Sequence, residues 1–134
     1  MPQIRIPDAA GYLGVSDDTV RRWIASGDLA ATTDPAGRKV IDGTVLADYA
    51  RSRTPALPSP DGPTSSARNR FVGLVTRVTS DPVMSQVELQ CGPYRVVSLM
   101  STEAAEELGL EPGSVATASI KATNVVIEAK GRNP

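Results

Sequence analysis

Residues 6–24 read IPDAAGYLGVSDDTVRRWI, two helical periods separated by a glycine. Pro7 suits the first turn of a helix, where its missing N–H is not needed, and Ala9, Ala10 and Leu13 follow at apolar spacing. Gly14-Val15 supplies a tight turn. Ser16 is then placed to cap a second helix, with Asp17 and Asp18 where the helix dipole favours negative charge. Val20, Trp23 and Ile24 recur at i, i+3 and i+4 and form its buried stripe, while Thr19, Arg21, Arg22 and Ser26 take the other faces. Gly27 ends the helix. The stretch predicts helix, turn, helix, with Tyr12 and Trp23 assigned to the core.

Downstream, Asp34-Pro35-Ala36-Gly37 lies between two short extended runs within Leu29 to Asp42, a hairpin signal that puts Arg38 and Lys39 close to the tip. A third helix, about Gly43 to Arg51, offers Val45, Leu46 and Tyr49 to the same core. Residues 54–66, TPALPSPDGPTSS, then alternate proline with small polar residues and predict a solvated spacer. The chain so divides into a first domain over 1–53, a linker over 54–66 and a second domain over 67–134.

The second domain has a period of two. Apolar residues alternate at Val72, Leu74 and Val78, at Val87, Leu89 and Cys91, at Val97 and Leu99, and at Ile120, Val125 and Ile127. Turn signals fall at Ser80-Asp81-Pro82, Cys91-Gly92-Pro93 and Glu111-Pro112-Gly113. Only Ser101 to Leu108 is helical in pattern, capped by Ser101 or Thr102 and stopped by Gly109. Five short strands with one helix between the third and fourth predict a small OB-like β-barrel, and the fold class is α+β in two domains.

Composition narrows the chemistry. The 134 residues include no histidine and one cysteine, which removes Ser-His-Asp and Cys-His nucleophile systems, ordinary Cys/His zinc sites and an internal disulfide. Neither an enzyme, an organic cofactor nor a metal cation is expected. No apolar run approaches the roughly 18 residues of a membrane span and residues 1–7 carry no signal pattern, so the expectation is a cytoplasmic protein with no membrane partner. Net charge is −1, and a nucleic-acid partner would be held by local basic clusters.

The run from Ile6 to Ile24, with Asp28-Leu29 and the Gly37-Arg38-Lys39 hairpin, resembles the MerR/excisionase-type winged helix-turn-helix domain. The resemblance implies DNA as a partner, with base or phosphate contacts from Thr19, Arg21 and Arg22 and phosphate contacts from Arg38 and Lys39 on the wing. Residues 1–53 hold seven acids and seven bases, so one such domain alone would release few counterions and bind weakly. Useful affinity requires several copies on one DNA.

A second constellation joins Ser66-Ala67-Arg68-Asn69-Arg70-Phe71-Val72-Gly73, Ser98-Leu99-Met100-Ser101 and Ile120-Lys121-Ala122-Thr123-Asn124-Val125. With Glu106-Glu107-Leu108-Gly109-Leu110 following Ser101, the segments supply cations and hydroxyl and amide donors of the kind a tetrahedral oxyanion needs, an anion that carboxylates repel. The pattern resembles the molbindin, or Mop-type TOBE, domain. The resemblance implies that molybdate or tungstate is the ligand, bound between subunits, with Ser66, Ala67, Arg68, Ser101, Lys121 and Ala122 as its contacts. It also implies a homo-oligomer through the barrel, a dimer at least and a hexamer as in single-barrel members. Ala122 stands where many relatives have serine, so a backbone amide replaces one hydroxyl.

The two resemblances together imply a molybdate- or tungstate-responsive DNA-binding transcriptional regulator. The competing reading is an intracellular storage or buffering protein without ligand-controlled DNA binding. A third is a DNA-architectural protein whose barrel serves only to oligomerise it.

Overall fold

The structure is a computed structural model that describes residues 2–53 and 65–130. The chain divides into two compact units, Met1–Pro60 and Asp61–Pro134. Most of the expected linker, residues 54–64, lies outside the described residues. Among the described residues no helix is long and apolar enough to cross a membrane.

The first unit runs β1 (Gln3–Arg5), α1 (Ile6–Leu13), α2 (Asp17–Ala25), β2 (Thr32–Thr33), β3 (Lys39–Asp42) and α3 (Gly43–Arg53). Gly14, at φ 67°, closes α1 in the left-handed conformation that glycine adopts without strain. Ser16 caps α2, its side chain accepting from the Thr19 N–H at 3.1 Å. The strands form an antiparallel sheet in the order β1-β3-β2, with Ile4 opposite Ile41 and Thr32 opposite Val40. Ile6, Ala9, Ala10, Val20, Leu29, Ile41 and Leu46 make the core, and Trp23, Ile24 and Tyr49 pack on it half-buried. Tyr12 departs from its expected place and is 72% exposed. Ile6, Ala9 and Ala10 occupy the inward face of α1, and Tyr12 falls off that stripe. Val45 is exposed for the same reason, because Leu46 and Tyr49 form the inward stripe of α3.

The second unit runs β4 (Asn69–Ser80), β5 (Met84–Cys91), β6 (Tyr94–Ser101), α4 (Thr102–Glu107) and β7 (Val115–Ile120), followed by a 3-10 turn at Ala122–Asn124. The strands form one antiparallel sheet in the order β6-β5-β4-β7. The first half of β4 pairs with β7 and the second half with β5, and a bulge between Val75 and Arg77 bends the strand where the partner changes. Val75, Val87, Leu89 and Cys91 form the core, joined by Val96, Met100, Leu110 and Ala118. Gly73 permits the closest approach: a Cβ there would stand 2.5 Å from Cys91 Sγ and 2.7 Å from the Gln90 carbonyl oxygen.

The α+β architecture and the helix between the third and fourth strands of this sheet agree with the sequence. Two details do not. The described residues hold four strands here, not five: Val125 and Ile127 follow the 3-10 turn outside any strand. Val97 and Leu99 face outward, because the register sets Val96 opposite Leu89 and Ser98 opposite Val87 and so turns the even-numbered residues of β6 inward.

Candidate functional site

Of the five residues expected to meet DNA, Thr19 is half-buried and Arg21, Arg22, Arg38 and Lys39 are exposed. Thr19 Oγ1 lies 2.9 Å from Ser16 Oγ and accepts from Arg22 at 3.2 Å, so it steadies the start of α2 as well as the arginine. Arg21 donates to Asp18 at 3.3 Å. The hairpin tip is organised by Asp34, whose carboxyl accepts from the backbone N–H groups of Arg38 (2.8 Å) and Ala36 (3.0 Å) and from Arg38 Nε (3.1 Å). The Arg38 N–H, then the Arg38 charge, hold the Asp34 carboxyl below its ordinary value of 3.8.

Arg21, Arg38 and Lys39 line one notch of about 290 Å³ with Arg5, Ile6 and Pro7, while Thr19 and Arg22 lie outside it. Sequence reasoning missed Arg5. It sits on a three-residue strand that shows no period, and only the pairing of Arg5 with Val40 brings it beside Lys39.

In the second unit the register gathers most of the candidate anion contacts. Asn69 pairs with Ile120, and its side-chain amide donates to the Ile120 carbonyl at 3.1 Å. The segments Ser66–Arg68 and Lys121–Ala122 therefore leave the same end of the sheet side by side. Ser66, Arg68, Lys121 and Ala122 are exposed and Ala67 is half-buried. Among the described residues neither Arg68 nor Lys121 is paired with a carboxylate. Two unneutralised cations beside hydroxyl and amide donors make an anion-attracting edge.

Ser101 stands apart. It pairs with Met84, at the end of the sheet where Ser85 meets Ser80, whereas Ser66–Arg68 precede Asn69 at the opposite end of the twelve-residue β4. Its Oγ accepts from the Ala104 N–H at 3.1 Å and caps α4. A cavity of about 480 Å³ lies on the inner face of the sheet, lined by residues of β5, β6 and β7 with Leu108 and Leu110. Among the described residues no group of three or more His, Cys, Asp or Glu is placed to hold a metal ion.

A family model described as a TOBE domain matches residues 65–127, and one described as a helix-turn-helix domain matches residues 4–54. The molybdenum transport protein ModE of Herbaspirillum seropedicae is 41% identical over 64 residues, covering 47% of this chain and 24% of that protein. Molybdenum-pterin-binding protein 1 of Clostridium pasteurianum is 37% identical over 63 residues, covering 46% of this chain and 93% of that protein. The chain thus spans about a quarter of the first relative and nearly all of the second. Among solved structures, a molybdate-binding protein from Sporomusa ovata aligns with TM-score 0.48 at 24% identity, covering 49% of this chain and 98% of that one.

Proposed function

We propose, since the chain belongs through residues 65–127 to the TOBE-domain family of the molybdenum-pterin-binding proteins, that it is a molybdate- or tungstate-responsive DNA-binding regulator. The observation that carries this reading is the joining of a helix-turn-helix unit to a TOBE unit in one chain. Storage of an oxyanion needs only the second unit. The anion sits between subunits: Arg68 and Lys121 supply charge, Ser66, Ala67 and Ala122 supply hydroxyl and amide donors, and Ser101 comes from a neighbouring subunit. The position of Ser101 at the other end of β4 supports that division. The chemistry is binding, not catalysis, and it favours a fully deprotonated dianion because the site offers no carboxylate to share a proton.

Assembly through the second unit follows from its open sheet. β6 and β7 end the strand order, and Val126 and Ile127 are each 83% exposed beyond β7. Exposed strand edges and apolar side chains favour association, a dimer at least, and the resemblance to single-barrel members of the family favours a hexamer. Association also places several winged units on one DNA, which raises the effective concentration for a second half-site without further basic residues. An anion bound between subunits then biases which arrangement of winged units is presented.

The second reading, oxyanion storage, is favoured by the equal count of seven acids and seven bases over residues 1–53. A mobility shift on the DNA upstream of the protein's own coding sequence, with and without molybdate, separates the readings. A shift that changes with molybdate is expected. A shift indifferent to molybdate leaves an architectural role, and no shift under either condition leaves storage.

A further inference from the structure

We infer that Arg5, Arg21, Arg38 and Lys39 close on a single backbone phosphate of bound DNA, in the notch where α1 begins. The inference rests on the DNA-binding reading above and adds to it a residue, Arg5, and a geometry. Four of the seven bases of residues 1–53 line this notch, and no acid does. That concentration answers the neutral charge of the unit, because phosphate attraction depends on local density of cations.

The cations come from separate elements: Arg5 from β1, Arg21 from α2, Arg38 from the hairpin tip and Lys39 from β3. Arg21 pairs with the exposed Asp18 at 3.3 Å and Arg38 with the half-buried Asp34 at 3.1 Å, which leaves most of their N–H donors free. Arg5 and Lys39 have no hydrogen-bonded or ion-paired side-chain partner among the described residues. They stand on neighbouring antiparallel strands, Arg5 opposite Val40 and so one register position from Lys39, and both line the notch. An anion in the notch is attracted by both charges. Arg5 is also the N-cap of α1, and Ile6 and Pro7 of its first turn line the notch, while Asp8 of the same turn lies outside the lining. The occupant is a phosphodiester of DNA because the notch is lined by the second helix and the wing of a unit that matches a helix-turn-helix domain.

The test titrates the full chain with a labelled mixed-sequence duplex over a series of salt concentrations, for wild type, Arg5→Ala, Lys39→Ala and the double variant. Each single variant is expected to lose about tenfold in affinity with its melting temperature unchanged. The double variant should lose less than the product of the two, and its salt slope should fall by about 0.9, the value for one phosphate. Wild-type affinity in Arg5→Ala overturns the inference, as does a slope reduced by two phosphates in the double variant. Displacement of the duplex by inorganic phosphate at matched ionic strength, lost in Arg5→Ala, also overturns it by reassigning the notch to a free anion. A wild-type chain without affinity for any duplex overturns the DNA-binding reading itself, a result distinct from all of these.

Discussion

The core cluster of the helix-turn-helix unit joins seven buried apolar side chains drawn from three helices, a strand and a loop, whereas that of the TOBE unit joins four on one face of a sheet in which β6 and β7 are the outer strands. In the first unit the apolar residues beyond the inward stripes are few. In the second, Val72, Leu99, Val115, Val126 and Ile127 are all more than two-thirds exposed. Apolar area left in water is a driving force not yet used. One unit covers its apolar side chains within its own chain, while the other leaves exposed the apolar surface that the proposed association would cover.

Core truncation gives the largest effect and the most direct way to break that comparison. Ile41→Ala removes a side chain of 0% exposure and is expected to destabilise the first unit by about 2–5 kcal/mol, read by thermal or urea denaturation. Ile127→Ala should change the stability of a dilute, unassembled chain by no more than about 0.5 kcal/mol, yet shift the association equilibrium seen by light scattering. A dilute-chain cost for Ile127→Ala equal to that of Ile41→Ala would mean the segment is already packed at home.

A pair of glycines sharpens it. At Gly73 an added Cβ meets Cys91 Sγ and a backbone oxygen, so Gly73→Ala should cost about 1–3 kcal/mol as an overpacked site. At Gly11, inside α1, an added Cβ meets nothing within 4 Å, and Gly11→Ala should stabilise the first unit by about 0.5–1 kcal/mol through helix propensity. Denaturation of both variants checks the signs, and equal signs would remove the contrast in packing.

What the sequence disclosed follows the same division. The first unit was legible because its determinants are local: the turn at Gly14, the cap at Ser16 and the Asp34 hairpin each need only a few neighbouring residues. The strand β1 was not, since three residues carry no period, and with it went Arg5. In the second unit the alternation announced strands, but which face is inward depends on pairing across the sheet, and Val97 and Leu99 were turned outward by the β5 register. Val125 and Ile127 have the side chains of a strand but no strand beside them in the described chain. The candidate anion contacts were found as three separate segments, and only the Asn69–Ile120 pairing says which of them share an end of the sheet.

The two helix caps offer a matched test with a smaller effect. Ser16 and Ser101 each accept from a backbone N–H three residues on, both at 3.1 Å. Replacement by alanine should cost about 1 kcal/mol in each unit. Ser101→Ala should also weaken molybdate binding in calorimetric titration, and Ser16→Ala should not. Equal molybdate affinity in both variants would remove Ser101 from the proposed site and leave it a cap alone.

The smallest effect concerns the one device the units share. Asp34 in the hairpin and Asp81 in the turn between β4 and β5 each accept backbone N–H bonds, Asp81 from Val83 and Met84 at 2.7 Å. The Arg38 N–H lowers the Asp34 carboxyl and the Met84 and Val83 N–H groups lower that of Asp81, both from 3.8. A carboxyl that titrates lower folded than unfolded binds its proton more readily in the unfolded chain, so its contribution is complete above 3.8 and is lost as pH falls through the folded value. Solvent screening at these exposed turns keeps the contribution modest. Thermal denaturation from neutral pH down to about 3 should therefore show both units weakening in the same acid window. Asp34→Asn should flatten that dependence in the first unit only, and Asp81→Asn in the second only. If Asp34→Asn flattens both, the two units are energetically coupled, and the division of the chain into two independently packed units no longer holds.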